Sequence, residues 1–237
     1  MKDETVAIVL AGGAGERMGL PLPKQFVELA GIPLIMHSII AFEKAYGIDG
    51  IVVVVPEAFI KLAEGVIEDC KAKKVLKVIS GGATRQESSR IGVLNAPDVA
   101  QKVLIHDASR PFITEELISR TIKAIEVCGA VNLVIPSTDT IVVVDERGYI
   151  TGIPNRNSYM HCQTPQGFHL DLIKDAHIHA VSRGISNSTD DCTLVLKMGK
   201  AVYSIPGDPY NMKITYPLDF KIAETIYRHK NSHIQSM

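Results

Sequence analysis

An apolar run, VAIVL at residues 6–10, empties directly into the glycine-rich segment AGGAGERMG and then into PKQFVELAG. A buried strand that ends in such a loop presents a row of backbone N–H groups at one edge of a sheet. With Arg17 and Lys24 close by in the chain, that edge can surround a polyphosphate. The segment is not a P-loop, because no Gly-Lys-Ser/Thr closes it and Lys24 lies behind Pro21 and Pro23. It is also a poor dinucleotide fingerprint. Gly13 and Gly15 fit the first two glycines, but Met18 occupies the third position. Glu57 follows the next strong strand at roughly twice the usual ~20-residue spacing of a ribose-binding acid.

Strand-like runs at residues 6–10, 51–55, 75–79, 103–106 and 130–136 alternate with amphipathic stretches at 33–46, 57–71, 85–94 and 115–128. Nearly continuous apolar strands between helices predict a parallel sheet covered on both faces. Loops at the carboxyl ends of those strands then gather along one edge, bringing together the first glycine loop, GGATR and DASRP. Residues 139–154 break the alternation and read as a β-hairpin, TIVVV and YITGI around Glu-Arg-Gly. A two-stranded hairpin is marginal alone in water, so this one packs on its own domain or on a second subunit. Beyond it the pattern predicts a helix at 170–182 and a helix capped by Ser188 or Thr189. A strand at 201–205 and a closing helix with Pro217 in its first turn follow. The whole, residues 1–237, reads as one domain with an arm at about 139–158.

A net charge of −1 disfavours a nucleic-acid binder that works by bulk electrostatics. Cys70, Cys128, Cys162 and Cys192 form no C-x-x-C pair, the pattern of reduced thiols in the cytosol. The first residues contain no long apolar stretch, so neither a secretory signal nor a membrane span is expected there. His177 and His179, two apart on a helix, do not share a face, and no zinc is assigned. The paired Asp190 and Asp191 have the look of a metal site, but at a predicted helix N-terminus they read first as residues that cap the helix and stabilise its dipole. Asp107, just past a strand, can hold Mg²⁺, accept substrate hydroxyls, or cap its loop by pairing with Arg110.

LAGGAGERMG with PKQF resembles the nucleotide-binding loop of the sugar-phosphate nucleotidyltransferases, specifically the cytidylyltransferases acting on methylerythritol phosphate or ribitol phosphate. The resemblance continues in order through GGATRQES (81–88), HDASRPFIT (106–114), DTI (139–141), IPNR (153–156), QTPQGF (163–168), TDD (189–191) and NMKIT (211–215). It implies an α/β, Rossmann-like nucleotidyltransferase fold, a mostly parallel sheet flanked by helices with a protruding hairpin that clasps a second subunit. It also implies a cytoplasmic, Mg²⁺-dependent enzyme that takes CTP and a polyol phosphate and engages neither nucleic acid nor membrane.

By the same resemblance, Arg17 and Lys24 hold the triphosphate, with the backbone of Leu10, Ala11, Gly12, Gly13 and Gly15 around it, and Lys213 stabilises the pentavalent α-phosphoryl group. Gly81, Gly82, Arg85 and Ser88 match the cytosine and ribose pocket. Asp107 and Arg110 match substrate-binding positions, with Asp107 close to the metal. Thr140 and Arg156 match residues that grip the acceptor phosphate, from the partner subunit in a shared site, and Thr164 and Gln166 match the acceptor pocket.

AGG, KQF, PFIT and IPNR lean toward the ribitol 5-phosphate enzymes, which feed wall or capsule polymers. HDASRP and TDDC lean toward the methylerythritol 4-phosphate enzymes of isoprenoid synthesis, whose usual forms are HDAARP and TDDA. On these motifs the expected product is CDP-ribitol, with 2-C-methyl-D-erythritol 4-phosphate as the alternative acceptor. A non-catalytic nucleotide-binding protein of the same fold is a remoter alternative. The joint presence of Arg17, Lys24, Asp107 and Lys213 argues against it, since binding alone needs no cation at the reacting phosphorus.

Overall fold

The computed structural model describes residues 4–13 and 23–234, with side chains as far as Lys230. Gly15 and Arg17 therefore lie outside the described residues. The elements are β1 (Glu4–Leu10), β2 (Glu28–Leu29), β3 (Ile32–Pro33), α1 (Leu34–Lys44), β4 (Gly50–Val55), α2 (Ile60–Asp69), β5 (Val75–Ser80), α3 (Arg85–Leu94) and β6 (Ala100–Asp107). There follow α4 (Glu115–Cys128), β7 (Ala130–Pro136), β8 (Val143–Val144), β9 (Ile150–Gly152), β10 (Met160–His169), α5 (Leu170–Ser182), α6 (Cys192–Lys197), β11 (Tyr203–Pro206) and α7 (Pro217–Ile234). A seven-stranded sheet runs in the order β11-β7-β10-β6-β1-β4-β5. Its neighbours pair in parallel except β10, which is antiparallel to both β6 and β7.

The period-two alternation of β1 divides the core. Val6, Ile8 and Leu10 face a layer containing Val93 of α3, Ile173 of α5 and Leu194 of α6. Ala7, Val9 and Ala11 face Ile35 and Ile39 of α1 and Ile118 of α4. Both faces are therefore covered, which is why the strands read as unbroken apolar runs. At Gly92 of α3 a Cβ would come within 2.5 Å of Ile8 Cγ2, so the helix lies directly against β1. A third, smaller cluster joins Leu29, Leu34 and Phe112 to Ile214 and to Ala223 of α7. It seats the NMKIT segment on the body of the protein.

The expected hairpin forms with shorter strands than its apolar runs suggest. Asp145 closes the turn by accepting the N–H groups of Arg147 and Tyr149, both at 2.9 Å, and Gly148 takes the positive φ of 85° that the turn requires. β10 was not expected. Its residues Gln163, Thr164 and Gln166 are buried and polar, and their hydrogen bonds go to distant segments. The second C-terminal helix begins at Cys192 rather than after a Ser188 or Thr189 cap. The Ser188 N–H instead donates to Gln86 Oε1 at 2.8 Å and its hydroxyl to the Asp190 carbonyl at 2.9 Å, which holds this stretch out of the helix.

Candidate functional site

Three loops leave the carboxyl edge of the sheet side by side, after β1, β5 and β6. The chain runs outward from β1 to β4 and β5 on one side and returns to β6 on the other, the kind of switch point where open α/β sheets bind ligands. A crevice of about 460 Å³ opens there, lined by residues 10–13, 24–25, 82–85, 88, 107–109 and 213.

The first wall is the end of β1. Ala11 N–H donates to the Val54 carbonyl at 2.8 Å, and the Gln25 side-chain amide donates to the Ala11 carbonyl, so this peptide is held from both sides. The second wall is the turn into α3. A Cβ on Gly81 would sit 2.7 Å from Ser88 Oγ, and that oxygen accepts the Gly82 N–H at 3.1 Å. Thr84 accepts the Glu87 N–H at 3.1 Å while the Glu87 carboxylate accepts the Ala83 N–H at 2.9 Å, a reciprocal cap that fixes the start of α3 at the crevice.

The third wall carries charge. Asp107, at the end of β6, accepts from Arg85 Nε on Oδ1 at 3.1 Å and from Lys213 Nζ on Oδ2 at 2.7 Å. Burial alone would raise its pKa, but Arg85 and Lys213 outweigh burial and hold the carboxyl well below the usual carboxylate range. Arg85 reaches past it to a second carboxylate, with Nη1 2.9 Å from Asp191 Oδ2. Asp191 is fully buried, and its other oxygen accepts from Ser89 Oγ. Burial pushes Asp191 up, and Arg85 followed by His177 and Ser89 bring it below its ordinary value.

This corrects the reading of the acidic pair as capping residues. Asp190 does cap, accepting the Thr193 N–H at 2.8 Å. Asp191 occupies the N-cap position without a side-chain capping bond and is instead an internal counter-ion for Arg85. The Asp107–Arg110 pairing is likewise replaced. The Arg110 guanidinium donates to the Asn211 carbonyl at 2.8 Å and to the Cys162 carbonyl at 3.1 Å.

Lys213 is held by everything around it. Ile214 N–H donates to the Ser109 carbonyl at 2.8 Å, Lys24 Nζ to the Ile214 carbonyl at 2.7 Å, and Asn211 Nδ2 to the Thr164 carbonyl at 2.9 Å. Asp219, at the start of α7, accepts the N–H groups of Thr215 and Tyr216 at 2.7 and 2.8 Å. The two lysines thus reach the crevice from distant segments that are tied together, Lys24 braced on the backbone that carries Lys213.

Residues Leu10, Ala11, Gly12, Gly13, Lys24, Gly82, Arg85, Ser88, Asp107 and Lys213 line this one crevice, with Gly81 in the turn behind them. Thr164 lies beneath it, its hydroxyl accepting the Asp107 N–H at 3.0 Å. Thr140 and Arg156 do not line it. Both are exposed on the arm, where Arg156 Nη1 donates to the Thr138 carbonyl at 3.1 Å. Sequence reasoning missed Gln25, Thr84 and Ser109 as lining residues and Asp191 as part of the charged network. The S/T-x-x-E pattern from Thr84 to Glu87 was a legible signal, whereas Asp191 had none because its partner lies 106 residues away. No cluster of three or more His, Cys, Asp or Glu that could hold a metal occurs among the described residues. No described helix is long and apolar enough to cross a membrane.

Residues 5–229 match the family model described as IspD: 2-C-methyl-D-erythritol 4-phosphate cytidylyltransferase. The chain belongs to the IspD family of cytidylyltransferases. It is similar to the 2-C-methyl-D-erythritol 4-phosphate cytidylyltransferases of Desulforamulus reducens, 37% identical over 95% of this chain and 97% of the relative, and of Geotalea uraniireducens, 38% identical over the same shares. Among solved structures it resembles the 4-diphosphocytidyl-2C-methyl-D-erythritol synthase of Anaerococcus prevotii, with a TM-score of 0.85 and 27% identity over 95% of this chain and 96% of that one. The fold is the IspD nucleotidyltransferase fold, and the family resemblance read from the motifs holds.

One buried group in this site gives the IspD chain a pH signature. The Thr164 hydroxyl, having accepted from Asp107 N–H, keeps its own proton for His106 Nδ1 at 3.1 Å, which leaves His106 Nε2–H to donate to the Arg110 carbonyl at 3.1 Å. A neutral ring satisfies both contacts. Burial pulls the imidazole from 6.5 down to about 4. The unfolded chain therefore takes up a proton below pH 6.5 that the native ring refuses, so stability is full above that pH and falls as pH drops toward 4. At about 1.4 kcal/mol per unit, roughly 2 kcal/mol is lost by pH 5. Urea unfolding at pH 7.5 and 5 is expected to show this loss in the native protein and a clearly smaller pH difference in His106→Gln. An equal difference in both removes His106 from the account.

Proposed function

We propose that this chain transfers CMP from CTP to 2-C-methyl-D-erythritol 4-phosphate, releasing pyrophosphate. The observation that carries the reading is one crevice in which Lys24, Lys213, Arg85 and an ionised Asp107 meet two glycine-edged walls, in a chain of the IspD family. The methylerythritol acceptor replaces the ribitol phosphate toward which AGG, KQF, PFIT and IPNR leaned, because the relatives it resembles carry the methylerythritol name. The positions of those motifs say why they mislead. Gln25 and Phe26 of KQF are buried, Phe112 and Ile113 of PFIT pack in the core, and Thr114 caps α4. Apart from Gln25, which also lines the crevice, they serve the scaffold, which both kinds of enzyme need.

The acceptor is a phosphate monoester with a second pKa near 6, so its oxygen is ionised at neutral pH and no catalytic base is required. That oxygen forms a bond to the α-phosphorus, the bond from this phosphorus to the bridging oxygen breaks, and the electron pair leaves with pyrophosphate. The chain's task is to hold two anions together and stabilise charge as it moves. Lys24 faces the polyphosphate with the backbone of residues 11–13, Lys213 the α-phosphoryl group, and the turn at Gly81, Gly82 and Ser88 the base and ribose. Arg17 belongs to the same group of roles.

Mg²⁺ keeps several waters and takes one or two carboxylates plus substrate phosphates. An ionised Asp107 fits as the single protein ligand. When bound there, the ion would neutralise phosphate charge.

The arm suits a homodimer, with Arg156 and Thr140 directed at a partner's acceptor phosphate. Val143, Val144, Tyr149, Ile150 and Ile153 are all exposed on or beside two short strands, an apolar surface that a hairpin cannot bury alone.

Pyrophosphate release with CTP and Mg²⁺ is expected with 2-C-methyl-D-erythritol 4-phosphate and not with D-ribitol 5-phosphate; the reverse preference overturns the acceptor. Lys213→Ala, at a half-exposed side chain, should lose about 2.7–4 kcal/mol of transition-state stabilisation in the folded protein, and near-normal turnover would remove Lys213 from the mechanism. Light scattering should report a dimer for the native protein and a monomer for Ile150→Glu. An unchanged dimer would place the interface elsewhere.

A further inference from the structure

Arg85 stands between two carboxylates, and the way it divides itself is informative. It gives Nε–H to Asp107 at 3.1 Å and Nη1 to Asp191 at 2.9 Å, while Nη2 makes no hydrogen bond. Nε–H and Nη2 form one edge of the guanidinium, the edge that pairs with both oxygens of a carboxylate in the strongest Arg–carboxylate geometry. Here that fork is half used. Asp107 keeps Oδ2 for Lys213, at 2.7 Å.

We propose that Asp191 is a positioning residue for nucleotidyl transfer: by gripping Arg85 from behind, it keeps the guanidinium from closing its fork on Asp107. Three observations support this. Asp191 is fully buried and is not itself among the residues that line the crevice, so it cannot meet substrate directly. It is held in place independently of Arg85, by Ser89 Oγ on its carboxylate and by its own N–H donating to Gln166 Oε1 at 2.9 Å. The same Oδ1 that accepts from Ser89 also lies 3.4 Å from His177 Nε2, a ring that is itself buried. A fixed anion at this point holds the plane of the guanidinium, because a planar group tied at two separate nitrogens cannot rotate about either.

Without the grip, Arg85 turns to a bidentate pair with Asp107. Both carboxylate oxygens are then engaged by one cation in place of two, and Lys213 loses its partner. The reasoning rests on the proposed use of Asp107 and Lys213 in the crevice.

A double-mutant cycle separates this action from a merely structural one, since residues acting through each other are non-additive. CTP binding in the presence of MgCl₂ is measured by calorimetry, with turnover alongside, in the native protein, Asp191→Asn, Arg85→Gln and the double variant. Asp191→Asn is expected to weaken CTP binding about tenfold with Arg85 present, roughly 1.4 kcal/mol of coupling, and less than twofold in the Arg85→Gln background. Ser89→Ala, a milder loosening of the same carboxylate, should show a smaller loss with the same dependence on Arg85. Equal losses in both backgrounds, or no loss in either, would overturn the role of Asp191. Native protein that binds CTP but turns over no acceptor would instead count against the proposed reaction and leave the Asp191–Arg85 coupling readable from binding alone.

Discussion

The Asp107 carboxylate is the point on which the site turns. It sits at the end of a central strand, nearly buried, between a guanidinium from one loop and an ammonium from another. Burying a charge is costly unless it is paired and hydrogen-bonded, and removing one partner of such a pair typically costs about 3–5 kcal/mol. The protein meets that cost with opposite charges in sequence from Asp191 through Arg85 and Asp107 to Lys213. The consequence is a carboxylate that stays ionised and two cations whose positions are set before any ligand arrives. Preorganised charge of this kind is what nucleotidyl transfer between two anions calls for.

The scaffold makes that preorganisation possible by supplying each charged group from a different rigid element. β6 brings Asp107, the capped start of α3 brings Arg85, and the segment before α7 brings Lys213. The last has no regular structure of its own and is held by hydrogen bonds instead. Arg110, Asn211 and Ser109 tie it to β10 and to the loop after β6, and Lys24 ties it to the turn at residues 24–26. An arginine that the motifs suggested for substrate is thus occupied with backbone carbonyls that keep Lys213 in place.

How far the sequence reveals this depends on the range of the interaction. Local patterns read well. The helices at Arg85–Leu94, Glu115–Cys128 and Leu170–Ser182 and the strand Ala130–Pro136 lie where periodicity puts them. The convergence of the glycine loop, GGATR and DASRP follows from β-α alternation alone. Long-range polar contacts do not read. β10 is a central strand made of Gln163, Thr164, Pro165 and Gln166, which look like a loop until the carbonyls and amides that satisfy them are known. Asp191 looks like a helix cap for the same reason, and the charge it serves comes from a helix 106 residues earlier. The motifs taken for acceptor readers turned out in part to be core and capping residues, because a short shared string does not say whether a residue faces substrate or scaffold.

What defines the site is a Lys213 ammonium held at the crevice by Asp107, where the α-phosphate of CTP would meet it. A crystal structure with CTP and Mg²⁺ tests this most directly. Lys213 Nζ is expected within hydrogen-bonding distance of an α-phosphate oxygen while still beside Asp107. A bound CTP whose phosphates lie away from Lys213 would contradict that role.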